Sequence, residues 1–310
     1  MKTGRLLADF LVSPWALRPE TLSLASGILS RWNDGLPVPD EVMAQLEADK
    51  GIVAVRRQSR AQTGGGIAVL PLYGVLTQRG DIQDVSGPGT TSLQAFASAF
   101  RQAMADPMVG GILIEIDSPG GSVFGTPELA SEIMACRGGG KPIVAVANAQ
   151  AASAAYWIGC AADELYCTPS GEVGSIGVWV MHVDHSKELE QDGQSVTLIS
   201  AGKHKTEGNP YQELPEDSIA FLQGRVDEYY RMFMASVAKG RRLPIAQIRD
   251  GMGQGRMLGA AAALEEKMID GVATFDEVVA MMRKKNRAPP ARSGVGSSLG
   301  NARRRLALLQ

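Results

Sequence analysis

The sequence predicts an α/β protein with a mostly parallel sheet and flanking helices. Two observations predict it. From residue 66 onward, short continuous apolar runs of strand length alternate with capped or amphipathic helical stretches, and Gly, Pro, Asn and Ser punctuate the joins. Alternation of this kind implies parallel strands joined by right-handed crossovers.

Taken in order, residues 1–50 read as a helical N-terminal extension with a turn at "NDGLPVP". Residues 51–65, "RRQSRAQTGGG" at their core, combine charge, small polar residues and glycines, and read as a linker. "GIAVLPLYGVL" is a pair of short strands. Phe96, Phe100 and Met104 then recur at helical spacing. "VGGILIEID" is a buried strand ending in "SPGG", "TPELASEIMAC" a capped helix and "KPIVAVAN" a second buried strand. "AASAAYWIGCAA" reads as a helix, "ELYCT", "SIGVWVMHV" and "SVTLI" as strands, and the stretch beyond Pro215 as a long packing or oligomer-contact helix. The folded domain spans 66–283. Residues 284–310, rich in Arg, Pro, Gly and Ser, read as a basic disordered tail.

Composition bounds the function classes. With 310 residues, 45% hydrophobic and 21% charged, the chain can bury a sizeable core, and a net charge of −2 gives no whole-protein attraction to nucleic acid or anionic membrane. No window approaches the roughly 20 apolar residues of a membrane span. A cytoplasmic protein is expected. Cys136, Cys160 and Cys167 lack a metal-ligand rhythm and read as reduced core thiols. "HVDH" has neither the spacing nor the company of a metal site, so no metal and no cofactor is expected.

Two motifs could carry chemistry. In "IDSPGG" the consecutive Gly120 and Gly121 let the backbone turn sharply and show N–H groups to a ligand, as in an oxyanion hole; a plain strand-to-helix turn reads equally well. Ser153 heads a helix directly after a strand, where a serine is ordinarily a cap. Alanines at 151, 152, 154 and 155 would leave its hydroxyl uncrowded, and the Ala154 N–H could join the glycines as oxyanion donor. A serine nucleophile needs a base. Lys205, taken alone a surface cation, could fold inward over the sheet edge, where burial would favour the neutral amine. His182, 29 residues after Ser153, is the rival base.

"DSPGG", the alanine-flanked Ser153, "GEVGSIGV" and "AGKHK" occur in the order found in the signal peptide peptidase A (protease IV) family, which this sequence resembles. A narrower resemblance, over about 66–275, is to the lambda-like phage head maturation proteases of that family, carried by "AMADPMVGGILIEIDSPGG", by the block from "GSIGVWVMHVDH" to "GNPYQELP" and by "GRMLGAAAALEEKMIDGV". It implies a Clp protease/crotonase-like fold and a serine endopeptidase with Ser153 as nucleophile, Lys205 as base and Ser175 orienting the lysine. Capsid, scaffold or portal polypeptides would be the substrates, in the host cytoplasm or the procapsid. It also implies a homo-oligomeric ring in which neighbours could complete each site. A signal-peptide-peptidase-like protease of the host, or a catalytically silent assembly module on the same fold, are the alternatives. The small residues around Ser153 suggest small P1 residues and a substrate that adds as a strand.

Overall fold

In the computed structural model, residues 13–19, 21, 66–79 and 90–287 are described. The strands are β1 (Trp15–Leu17), β2 (Ile67–Tyr73), β3 (Val75–Thr77), β4 (Thr90–Ser92), β5 (Gly111–Ser118), β6 (Gly120–Ser122), β7 (Ile143–Ala152), β8 (Glu164–Cys167), β9 (Glu172–Gly174), β10 (Met257–Gly259) and β11 (Gly271–Val272). The helices are α1 (Leu93–Ala105), α2 (Thr126–Ala135), α3 (Ala154–Gly159), α4 (Ser186–Gln191), α5 (Glu216–Arg241), α6 (Ile245–Asp250), α7 (Ala260–Glu265) and α8 (Phe275–Arg287).

The larger sheet runs β10-β9-β7-β5-β2, with β8 also on β7 and β11 on β8. All its pairings are parallel except β10 on β9. The predicted α/β class with a mostly parallel sheet is what the chain adopts. Parallel strands need both faces covered, which explains why β5 and the start of β7 are continuous apolar runs. On one face Phe96, Phe100, Leu129, Ile133, Trp157 and Phe233 build the main core; on the other, Leu113, Val144 and Val146 meet Val278, Val279 and Met282 of α8. The second sheet, β1-β6-β3-β4, stands beside the carboxyl ends of the large sheet's strands.

Strand β7 splits at its end. Its first half pairs β8 through Val144–Ala147, its last residues pair β9, and the register against β5 shifts between Ile116 and Ser118. Ala149, at φ 116, marks the irregularity. Such bulges re-aim a strand, here the one that delivers Ser153.

Three elements differ from expectation. Within the stretch read as helical, residues 15–17 form a strand, because β6 supplies the partner that a three-residue run cannot announce. "SVTLI" forms no strand: residues 194–200 are exposed throughout, with Val196 at 44%, Leu198 at 43% and Ile199 at 96%. A strand requires a neighbour for its backbone groups, and the described residues offer none there. "SIGVWVMHV" likewise forms no strand and, among the described residues, pairs only at an isolated bridge, Trp15 to Trp179. Helix α8 carries regular structure to Arg287, four residues into the expected tail. The remainder of the tail, the linker 51–65 and most of residues 1–50 lie outside the described residues.

Candidate active site

Ser153 sits between β7 and α3 with φ 53 and ψ −116, a left-handed conformation that a non-glycine residue adopts at a cost of about 1–3 kcal/mol. It caps nothing: no side-chain cap bond forms at α3. The turn is held by its own backbone, Ser153 N–H donating to Gly174 O at 2.7 Å and Trp157 N–H to Ser153 O at 2.9 Å. A sharp strand-to-helix turn that presents a hydroxyl at the end of a parallel sheet is the geometry used for nucleophilic serines. Among the described residues the Ser153 hydroxyl donates to Gly177 O at 3.4 Å, a length at which little energy is gained.

Ala151, Ala152, Ala154 and Ala155 are all fully buried, and Ser153 itself is 1% exposed. Their small size lets the turn sink against the sheet. Trp157, one turn on, stacks on Phe233 of α5 at a centroid distance of 4.4 Å and fixes α3 from behind.

The glycine loop lies directly across from the serine. Gly120 has φ +99, and a Cβ built on it would stand 3.0 Å from Ser153 Cβ, 3.0 Å from Ala152 O and 2.3 Å from Ala16 O. Gly121 has no room for a Cβ either, which would meet Leu76 O at 2.0 Å. The Gly120 N–H donates to Ser118 Oγ at 3.1 Å, and that hydroxyl donates to Gly74 O at 2.7 Å. Ser118, not singled out in the sequence, thus braces the loop. Ala154 opens α3, so its N–H is among those a helix cannot satisfy internally.

Ser175 adjoins this turn. It follows Gly174, has φ 54, and donates its N–H to Arg256 O at 2.8 Å. Lys205 is not brought to Ser153 within the chain: it is exposed, on a stretch without regular structure, and no hydrogen bond joins the two among the described residues. The burial expected for it is not provided by this chain's own residues. His182 is engaged elsewhere, its Nε2 2.9 Å from Asn209 O.

Two apolar side features complete the surroundings. Val178, Trp179, Val180 and His182 face Leu214, Ile219, Leu222 and Val226 across a cleft of about 360 Å³. Trp179 has a second role that the sequence did not reveal, since it pairs with Trp15 and donates its indole N–H to Leu17 O at 2.9 Å. Cys160 and Cys167 are buried free thiols, pushed up by burial to about 12 and about 11. Neither is a nucleophile at neutral pH.

His204, Glu207 and Asp217 offer ligand atoms within 4.8 Å of one another, but His204 and Asp217 are exposed, Glu207 is half-buried, and His204 Nδ1 is already 2.6 Å from Glu207 Oε1. No described helix is long and apolar enough to cross a membrane.

Comparison with known proteins agrees with these motifs. The profile of Peptidase family S49 matches residues 135–288, which include Ser153, Ser175 and Lys205. The chain is 35% identical over 229 residues to the capsid assembly protease C of Escherichia phage lambda, covering 73% of this chain and 51% of that protein. It is 32% identical over 226 residues to protease 4 of Salmonella typhi, covering 71% of this chain and 34% of that protein. The chain therefore spans about half or less of the length of these relatives. Among solved structures, ClpP1 of Listeria monocytogenes superposes with a TM-score of 0.43 at 13% identity, over 73% of this chain and 98% of that one. By its motifs, their order and these matches, the region of residues 135–288, which holds Ser153, Ser175 and Lys205, is similar to peptidase family S49.

Proposed function

We propose that the chain is a serine endopeptidase in which Ser153 is the nucleophile and Lys205 the general base. The observation that carries the reading is the Ser153 turn itself: a strained, non-capping serine at the end of a parallel sheet, with Gly120 in van der Waals reach. Ser153 Oγ attacks a scissile carbonyl, the lysine amine takes the hydroxyl proton and passes it to the leaving amine, and water then cleaves the acyl-enzyme ester. N–H groups of Ala154 and of Gly120 or Gly121 hold the oxyanion, an effect worth on the order of 3 kcal/mol per donor. Ser175, next to the carbonyl that anchors Ser153, orients the lysine.

Lys205 reaches Ser153 from a neighbouring copy in a homo-oligomeric ring. Two features support this. The segment leading to Lys205 exposes Val196, Leu198 and Ile199, and α5 exposes Ile219 and Phe221 beside the apolar cleft. Surfaces of this kind are covered in an assembly. The relationship to the lambda capsid assembly protease supports substrates in phage head maturation, and that to protease 4 keeps a host processing role as the second reading.

The test uses two inactive variants. Ser153→Ala and Lys205→Ala should each abolish cleavage of an unfolded protein substrate, while mixing them should restore part of it, because the mixed assembly contains sites with both residues. Full activity of either variant refutes the assignment of that residue, and failure of the mixture to recover refutes the base in trans.

A further inference from the structure

The groove in front of Ser153 is occupied by the chain itself. Strand β1 lies antiparallel on β6, pairing Trp15 with Ser122, Ala16 with Gly121 and Leu17 with Gly120. Its other edge bridges Trp179, with Trp15 N–H donating to Trp179 O at 2.9 Å and Trp179 N–H to Trp15 O at 3.1 Å. Three residues held along both edges, fully buried and extended, occupy the position in which a peptide is bound by strand addition.

The carbonyl groups of this segment identify the bond that faces the serine. Pro14 O accepts from Val123 N–H on the β6 edge, whereas Trp15 O accepts from Trp179 N–H and Leu17 O from the Trp179 indole on the opposite edge. The bonds from Val123 to Pro14 and from Arg18 to Pro119 flank the pair Ala16 and Gly121, which in antiparallel alternation is the hydrogen-bonded pair between them. This turns the Gly121 N–H onto the Ala16 carbonyl. Ala16 O and Ser153 Cβ also both lie close to the point where a Gly120 Cβ would stand, at 2.3 Å and 3.0 Å. On the far side of the bond, Arg18 Nη1 holds Gln150 Oε1 at 3.3 Å and Arg18 N–H donates to Pro119 O at 3.1 Å.

We propose that residues 14–18 are bound as a substrate strand and that Ala16–Leu17 is a peptide bond the protein cuts in itself, Ala16 filling the P1 site; this rests on Ser153 being the nucleophile. Ser153 Oγ forms an ester with the Ala16 carbonyl carbon as the Ala16–Leu17 C–N bond breaks. The serine proton travels through the base to the Leu17 nitrogen, which leaves as a new amino terminus. Water then hydrolyses the ester, leaving Ala16 as a carboxylate and freeing Ser153. The P1 site so defined takes a small side chain, since Ala16 is fully buried. Until the bond is cut or the strand displaced, another polypeptide cannot enter the groove.

The test is intact-mass and N-terminal analysis of the purified full chain, with Ser153→Ala and Lys205→Ala beside it and cleavage of an unfolded protein measured on the same samples. The expected result is loss of the first sixteen residues from the wild-type chain, giving Leu17 as amino terminus, and their retention in both variants. A wild-type chain that cleaves the added protein yet keeps residues 1–16 overturns the inference and leaves the peptidase reading standing. Cutting at Ala16 in Ser153→Ala overturns it as well, by assigning the cut to another protease. A wild-type chain that keeps residues 1–16 and cleaves nothing, together with a Trp15→Asp variant, in which the strand is freed, that also cleaves nothing, overturns the peptidase reading and the inference with it.

Discussion

Replacing Gly120 by alanine should abolish activity at a moderate cost in stability. The residue has φ +99, where an added Cβ costs about 1–2 kcal/mol for the conformation alone. The same Cβ would sit 2.3 Å from Ala16 O and 3.0 Å from both Ala152 O and Ser153 Cβ, separations that force the loop, β1 and the nucleophile apart. Overpacking of this kind typically adds about 1–3 kcal/mol. Gly138 supplies the control: it too has positive φ, at +69, but open space where its Cβ would go, so Gly138→Ala bears the conformational cost without the clash. Moving Ser153 and the loop apart takes the nucleophile out of line with its oxyanion donors, each of which is worth roughly 10²–10³-fold in kcat. Denaturant unfolding and kcat/KM on an unfolded protein substrate should therefore show both alanine variants destabilised but only Gly120→Ala inactive. Comparable activity in the two variants would refute the placement of the glycine loop against Ser153.

Further outcomes follow from the packing and the titrating groups. Phe233→Ala removes the ring stacked on Trp157 at 4.4 Å and should cost about 3–5 kcal/mol in denaturant unfolding, loosening α3 and slowing acylation at Ser153. Gly240→Ala should destabilise by about 1–3 kcal/mol, because its Cβ would meet Cys160 O at 2.3 Å where α5 crosses the end of α3; an unchanged midpoint would contradict that contact. Burial raises all three thiols, Cys160 to about 12 and Cys167 to about 11, so a thiol reagent at pH 8 should label partly exposed Cys136 first and leave the other two until unfolding. Burial alone would raise the Asp270 carboxyl, but the two bonds from Arg241, at 2.7 and 2.9 Å, and the Leu165 N–H at 2.7 Å outweigh it and hold it below the ordinary range. The stability it contributes is present above pH ~4 and lost as pH falls through its lowered folded value. Asp270→Asn should be less stable at pH 6 and should flatten that acid limb; parallel curves would exclude the effect.

What the sequence revealed of this architecture depended on the range of the signal. Strands β2, β5 and β7 are continuous apolar runs because parallel strands are covered on both faces, so each is legible within its own few residues. The Ser153 turn was legible for a similar reason: a strand, a small residue and a helix follow one another locally. Its strain and burial were not, since they arise from Gly120 and Gly174, which come from other strands. Strand β1 is three residues in a stretch containing two prolines, and its partner lies about a hundred residues downstream, so no local pattern announces it. "SVTLI" shows the converse error. Its alternation of apolar and polar residues is that of a strand, yet residues 194–200 are exposed, because the pattern records what a segment can pair with and not whether a partner is present. Lys205, a few residues on, was singled out by its motif alone, and nothing in its local composition distinguishes it from a surface lysine.

Mapping the adduct left by a fluorophosphonate probe on the assembled full-length protein tests the central claim most directly. The account predicts one modified residue, Ser153, in the wild-type chain, with modification lost in Lys205→Ala and retained in His182→Ala. Modification elsewhere, or at Ser153 with the dependence on lysine and histidine reversed, would contradict it.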